Sequence, residues 1–313
     1  MFSINENVTA YVDELLNREE ELNIKSYFLE NRSTVIDCGV EASGSIGAGL
    51  LCAAISLGGL GRAALVPGVI DGFYLQFAQT WIDRPAIACL CSQKAAWKLK
   101  VDTYQATAFG PARASAQKPK SLYTALDYAD DAETAIVNLE AGALPGARQM
   151  DFIAKQCSTD PECVVALVAK PNSIVGSIIN STLAVGWTLN RLFQLGFDVR
   201  AITSGSSAVP VAPLRPDEAG FIGASFDSIA YYGMVSLYTQ ALGDAFKSAT
   251  ADASRSYGRG FQDLLKDAQG DYSKVDGAMF APARLMVNGH SGELQAYGRL
   301  NPAMLLATYG IKA

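Results

Sequence analysis

One histidine, His290, serves a chain of 313 residues. That count removes mechanisms before any motif is read. A Ser-His-Asp or Cys-His relay needs its imidazole, and zinc sites draw on several His or Cys ligands. His290 itself lies in Val287-Asn288-Gly289-His290-Ser291-Gly292, where Asn-Gly between two apolar runs predicts a hairpin tip. Chemistry therefore falls to carboxylates, lysine, arginine and backbone dipoles. Lys94 stands among Ala88, Leu90, Ala95, Ala96 and Trp97, a setting in which burial lowers an ammonium pKa unless an anion compensates. Asp37 and Glu41 close the buried run Val35-Ile36-Asp37-Cys38-Gly39-Val40-Glu41. They read either as a cap with a structural ion pair or as a carboxylate facing a ligand. Phe109-Gly110-Pro111-Ala112-Arg113 is echoed by Phe280-Ala281-Pro282-Ala283-Arg284. Arg113 and Arg284 become paired candidates, either for an anionic part of a ligand or for structural carboxylates.

Other signals exclude more than they assign. Gly59-Leu60-Gly61-Arg62-Ala63-Ala64 satisfies a loose dinucleotide pattern, but Pro67 forbids the helix that must follow it. No phosphate-binding Gly-x-x-x-x-Gly-Lys run occurs. A formal charge of −6 argues against a nucleic-acid surface, which needs clustered Lys and Arg. The six cysteines form no C-x-x-C pair and most sit in apolar runs, so they read as buried free thiols of a cytoplasmic protein. The start has no basic and apolar leader. The uncharged stretch between Glu41 and Arg62 carries too many glycines for a membrane helix, so no membrane partner is expected.

The elements that must position these residues alternate between strand and helix, predicting mixed α/β layers. The first helix carries Val8, Tyr11, Val12, Leu15 and Leu16 at helical spacing, with Asn5 or Asn7 as its cap. A strand pair follows over 24–29 and 33–40. Buried strands are predicted over 132–139 and 163–169, a long helix over 174–193, an aromatic-rich helix over 229–242, and a closing hairpin over 286–296.

Ile36-Asp37-Cys38-Gly39-Val40-Glu41-Ala42-Ser43-Gly44, Ala48-Gly49-Leu50-Leu51, Gly58-Gly59-Leu60, Gly110-Pro111-Ala112-Arg113-Ala114 with Lys118-Pro119-Lys120, Ser173-Ile174-Val175-Gly176-Ser177, and Phe280-Ala281-Pro282-Ala283-Arg284 with Val287-Asn288 occur in this order. The set resembles the methenyltetrahydromethanopterin cyclohydrolases, from about residue 3 to about residue 310. The resemblance implies a two-domain α/β subunit with the substrate in a cleft between domains, a homotrimer, and hydrolysis of a cyclic methenyl amidinium to the N5-formyl pterin. It implies no metal and no redox cofactor; the pterin is substrate. The chain reads as one family unit of two domains that exchange segments, roughly 1–120 with 275–313, and 121–274. Ser177 is carried over as substrate-binding and Lys94 as catalytic.

The departure from the family that matters most lies on one helix. The helix after Ser173-Ile174-Val175-Gly176-Ser177 carries, in the family, an arginine and three residues later a glutamate that acts on the hydrolytic water. Here Leu183 and Gly186 take those positions, with Trp187 beside them. Phe226 stands where the family has asparagine. Leu183, Gly186 and Trp187 are thus expected to line the substrate site without ionising. Glu41 and Glu140 are the candidates for the base. Two readings follow: a cyclohydrolase with its base elsewhere, or a paralogue that opens, closes or merely binds a different heterocycle.

Overall fold

The computed structural model describes residues 2–311. Among them, twelve strands form two six-stranded sheets. In chain order these are β1 (Lys25–Phe28), β2 (Thr34–Gly39), β3 (Gly61–Ile70), β4 (Phe73–Asp83), β5 (Trp97–Val101), β6 (Tyr104–Phe109), β7 (Ala135–Glu140), β8 (Val164–Ala169), β9 (Ile202–Pro210), β10 (Met234–Thr239), β11 (Arg284–Gly289) and β12 (Leu294–Gly298). The chain divides into two compact units. One holds the chain up to Arg62 with Ile87–Ile179; the other holds Ala63–Ala86 and the chain from Asn180 onward. The crossings thus differ from the expected 120 and 275. The β3–β4 hairpin joins the later unit because β4 pairs along β9, a long-range ladder that no local pattern announces.

The first sheet runs β1-β2-β8-β7-β6-β5, with β2, β8 and β7 mutually parallel. Parallel central strands are covered on both faces, and every residue of β2 is buried. One face packs Ile36, Ile136 and Leu167 against Cys52 and Ile55 of the helix Ile46–Ser56 and against Val175 and Ile179. The other packs Val35, Val137, Leu139 and Val168 against Met150, Ile153 and Ala154 of the helix Ala147–Cys157.

Asn5 does not cap the first helix. It is buried, accepts the Ile136 N–H at 2.9 Å and donates to Asp130. The tertiary partner outcompetes the local one because a buried strand-end N–H must be satisfied.

The second sheet runs β12-β11-β10-β9-β4-β3, with β10 and β11 parallel and β12–β11, β10–β9 and β9–β4 antiparallel. Its inner face carries Gly205, Leu237 and Val287, and Gly205 gives room to Val185 of the helix Ala184–Gln194. Two sequence expectations fail here. The helix predicted over 174–193 is two helices, Ile174–Ser181 and Ala184–Gln194, interrupted at Thr182-Leu183. The aromatic helix predicted over 229–242 is a short π turn, Ser228–Tyr232, followed by β10. Its apolar run is that of a buried strand, which periodicity cannot separate from a helix. The hairpin tip holds: His290 is exposed between β11 and β12.

Candidate active site

The helices after β7 and β8 leave toward opposite faces of the first sheet: Ala147–Cys157 packs on one, Ile174–Ser181 on the other. Where successive parallel strands send their helices to opposite sides, a crevice opens beyond the strand ends, and ligands bind there in open α/β sheets. Glu140 ends β7 at this point, in one row with Ala169 of β8 and Gly39 of β2. It is half-buried. Glu41, two residues past β2, is exposed.

Asp37 is not a ligand-facing carboxylate. It is wholly buried, and its two oxygens accept the N–H groups of Gly39, Val40, Glu41 and Ala42 at 2.7–3.0 Å. Four donors fill its acceptor sites, and they shape the loop that presents Glu41. Across the row, Ser173 Oγ accepts the Gly176 N–H at 3.0 Å and caps the helix Ile174–Ser181. Gly176 is required by space: a Cβ there would stand 2.1 Å from the Lys170 carbonyl oxygen. Ser177, buried one turn in, donates to the Ile174 carbonyl at 2.8 Å. The Ser-Ile-Val-Gly-Ser run is thus a helix start pressed onto the β8 exit.

Lys94 follows the π-helical segment Ala86–Gln93. Burial, reinforced by the Arg113 guanidinium, holds its ammonium below the usual lysine range. Arg113 is wholly buried and spends its donors on the main chain: Nε and Nη2 on the Lys118 carbonyl at 3.0 and 2.6 Å, Nη1 on Leu90 and Ser92 at 3.2 and 3.1 Å. Gly110, at φ +93°, donates to the same Ser92 carbonyl and passes so close to Asn138 that a Cβ would lie 2.6 Å from Oδ1. Tyr123 donates to the Cys91 carbonyl. Gly110 and Arg113 therefore clamp the segment that ends at Lys94. Neither alternative offered by the sequence, an anionic ligand or a structural carboxylate, describes Arg113; its partners are carbonyls.

The remaining predicted residues belong to the second unit. Arg284 begins β11 and donates from Nη1 to the Gly298 carbonyl at 2.6 Å. Leu183 precedes the helix Ala184–Gln194, and Gly186 and Trp187 occupy its first turn, all partly exposed. Trp187 meets Phe226 edge-on at 4.6 Å and 90°, and Phe280 at 5.5 Å and 69°. Trp187 and Phe226 are therefore in contact, and sequence reading had no means to pair them. The structure adds Asp227, absent from the predicted set. It is buried, accepts Phe261 N–H at 2.9 Å and Thr308 Oγ1 at 3.0 Å, and burial pushes its carboxyl up to about 7.

Among the described residues, no group of three His, Cys, Asp or Glu is placed to hold a metal. No helix is long and apolar enough to cross a membrane.

The cyclohydrolase (MCH) family model matches residues 3–309. The chain belongs to that family. It is 39% identical to the methenyltetrahydromethanopterin cyclohydrolase of Methanocella arvoryzae, covering 100% of this chain and 99% of the relative. It is 37% identical to that of Methanococcoides burtonii over 100% and 99%, and 38% identical to that of Methanothermobacter marburgensis over 99% and 100%.

Proposed function

We propose that this chain hydrolyses N5,N10-methenyltetrahydromethanopterin to the N5-formyl compound. The observation that carries the reading is the family match over residues 3–309, with relatives named for that activity covered almost end to end. Water adds to the methenyl carbon, the bond to N10 breaks, and the added oxygen loses both its protons, one taken up by N10 and one released to solvent per turnover. The carbon is already electrophilic because two nitrogens share its positive charge. The reaction then needs a base and placement rather than a metal or a redox cofactor.

Of the two candidate bases, Glu140 is favoured over Glu41: it is half-buried at the crevice between β7 and β8, whereas Glu41 faces solvent. Lys94, on the segment clamped by Arg113, is assigned the second catalytic role. The substrate-binding roles that the resemblance implies for Ser177, Arg284, Leu183, Gly186 and Trp187 are proposed residue by residue. We further propose a cytoplasmic homotrimer, in keeping with the free cysteines. The test is loss of methenyl absorbance with purified protein at neutral pH. Turnover well above buffer is expected, with Glu140→Gln lower by about 10²–10⁴-fold and Glu41→Gln close to wild type. A rate equal to buffer overturns the reading in favour of a paralogue acting on another heterocycle.

A further inference from the structure

Asn138 is a polar residue at a place the fold surrounds with apolar ones. Successive side chains of a strand alternate between faces. Val137 and Leu139 pack toward the helix Ala147–Cys157, and Ile136 packs toward the helix Ile46–Ser56. Asn138 and Glu140 therefore share the face of Ile136, roughly 7 Å apart along β7. Level with Asn138 stand Phe109 of β6 and Leu167 of β8. Asn138 is 2% exposed, and its Nδ2 donates to the Cys52 carbonyl at a long 3.4 Å. Its Oδ1 is buried and has no hydrogen-bond partner among the described residues. An acceptor left in this way destabilises a fold, so its presence calls for another reason.

The surroundings of that oxygen supply one. A Cβ on Gly110 would stand 2.6 Å from Oδ1 and 3.3 Å from the Asn138 nitrogen. A planar carboxamide against a residue without Cβ permits an approach that a branched apolar side chain of the same size would block. Gly110 also donates to the Ser92 carbonyl at 2.9 Å, and Ser92 Oγ donates to the Ser56 carbonyl at 2.6 Å, one helical turn after Cys52. Asn138 and Ser92 thus lean on the last turn of one helix, and Gly110 touches both. The two residues nominated for the chemistry each lie two positions beyond this contact, Glu140 after Asn138 and Lys94 after Ser92. We infer that Asn138 is a positioning residue, whose amide oxygen packed on Gly110 sets the spacing between the end of β7 and the Lys94 segment. Arg113 fixes that segment through the Leu90 and Ser92 carbonyls; Asn138 relates it to β7. The role in catalysis rests on the reaction proposed above, whereas the spacing rests on the contact itself.

Acetic anhydride labelling of the purified full chain, read lysine by lysine in a mass spectrometer, reports on Lys94 with or without turnover. In Asn138→Ala its rate relative to the exposed Lys266 is expected to change by about threefold or more, because burial and the distance to Arg113 set the basicity of that amine. With the methenyl compound, Asn138→Ala is expected to lower kcat by about tenfold to a hundredfold and to leave KM within about threefold. Its circular dichroism spectrum is expected to match wild type. Gly110→Ala sets a methyl group against the same oxygen, and adding Asn138→Ala makes room for it. The double variant is therefore expected to melt above Gly110→Ala alone, and equal melting temperatures overturn the contact. Unchanged Lys94 labelling in Asn138→Ala, or a kcat within about twofold of an active wild type, overturns the positioning role. A wild type without turnover overturns the proposed reaction, and the Lys94 rates then decide the spacing alone.

Discussion

Arg113 illustrates how far a residue's type leaves its role undecided. Its position in Gly110-Pro111-Ala112-Arg113 suggests an anion partner, yet four hydrogen bonds run from its guanidinium to three carbonyls. A planar fork with five donors can tie carbonyls of separate segments together, which an ammonium cannot. Arg113→Met is therefore expected to lower unfolding free energy by about 2–4 kcal/mol, the lost charge-assisted bonds being partly offset by no longer burying a charge. Arg113→Lys recovers little of it. Guanidinium unfolding curves measure both; a Met variant as stable as wild type would show that the clamp contributes nothing. Trp187 is the reverse case. An indole in place of an expected acidic neighbourhood looks isolated in sequence, and only folding shows Phe226 and Phe280 against its ring.

Asp227 belongs to the scale of elements, because it joins three of them. It ends the helix Glu218–Asp227, accepts from the first N–H of the helix Phe261–Asp267, and accepts from Thr308 in the helix Pro302–Tyr309. Those two bonds favour the carboxylate, as does Arg215, but burial outweighs them and Asp263 adds repulsion, so the folded carboxyl titrates near 7 rather than 3.8. The folded state thus binds this proton more tightly than the unfolded chain. Its stabilisation is complete below about pH 3.8, declines as pH rises toward 7, and is absent above, a change of up to about 4 kcal/mol. Asp227→Asn keeps an acceptor for Phe261 and removes the charge. Melting temperatures at pH 5 and pH 8 should differ less in the variant than in wild type, and equal differences would refute the assignment. Elements were legible in sequence where one period ruled, as in β7, β8 and the closing hairpin. They were lost where a short apolar run ended in a turn: the break at Thr182-Leu183 and the strand β10 have no local marker.

At the scale of the whole molecule, net charge bears on the proposed homotrimer. Each copy carries a formal charge of −6, so copies repel one another at long range. Raising sodium chloride from about 50 to 500 mM, a range over which screening becomes severe, should leave the oligomer intact or strengthen it. Dissociation with added salt, followed by light scattering, would show that ion pairs between copies hold it instead.

By itself the sequence determined the family and the mixed α/β class, because these rest on residue identity and local period, and it nominated Lys94 and Glu140 for the chemistry. Tertiary structure decided what those residues face. It set β3 and β4 beside β9, it spent Arg113 on carbonyls and Asp37 on four N–H groups, and it paired Trp187 with Phe226. The reason is the same in each case: a buried polar group or ring takes the partner that the fold brings within reach, and neighbours distant in sequence leave no period to read.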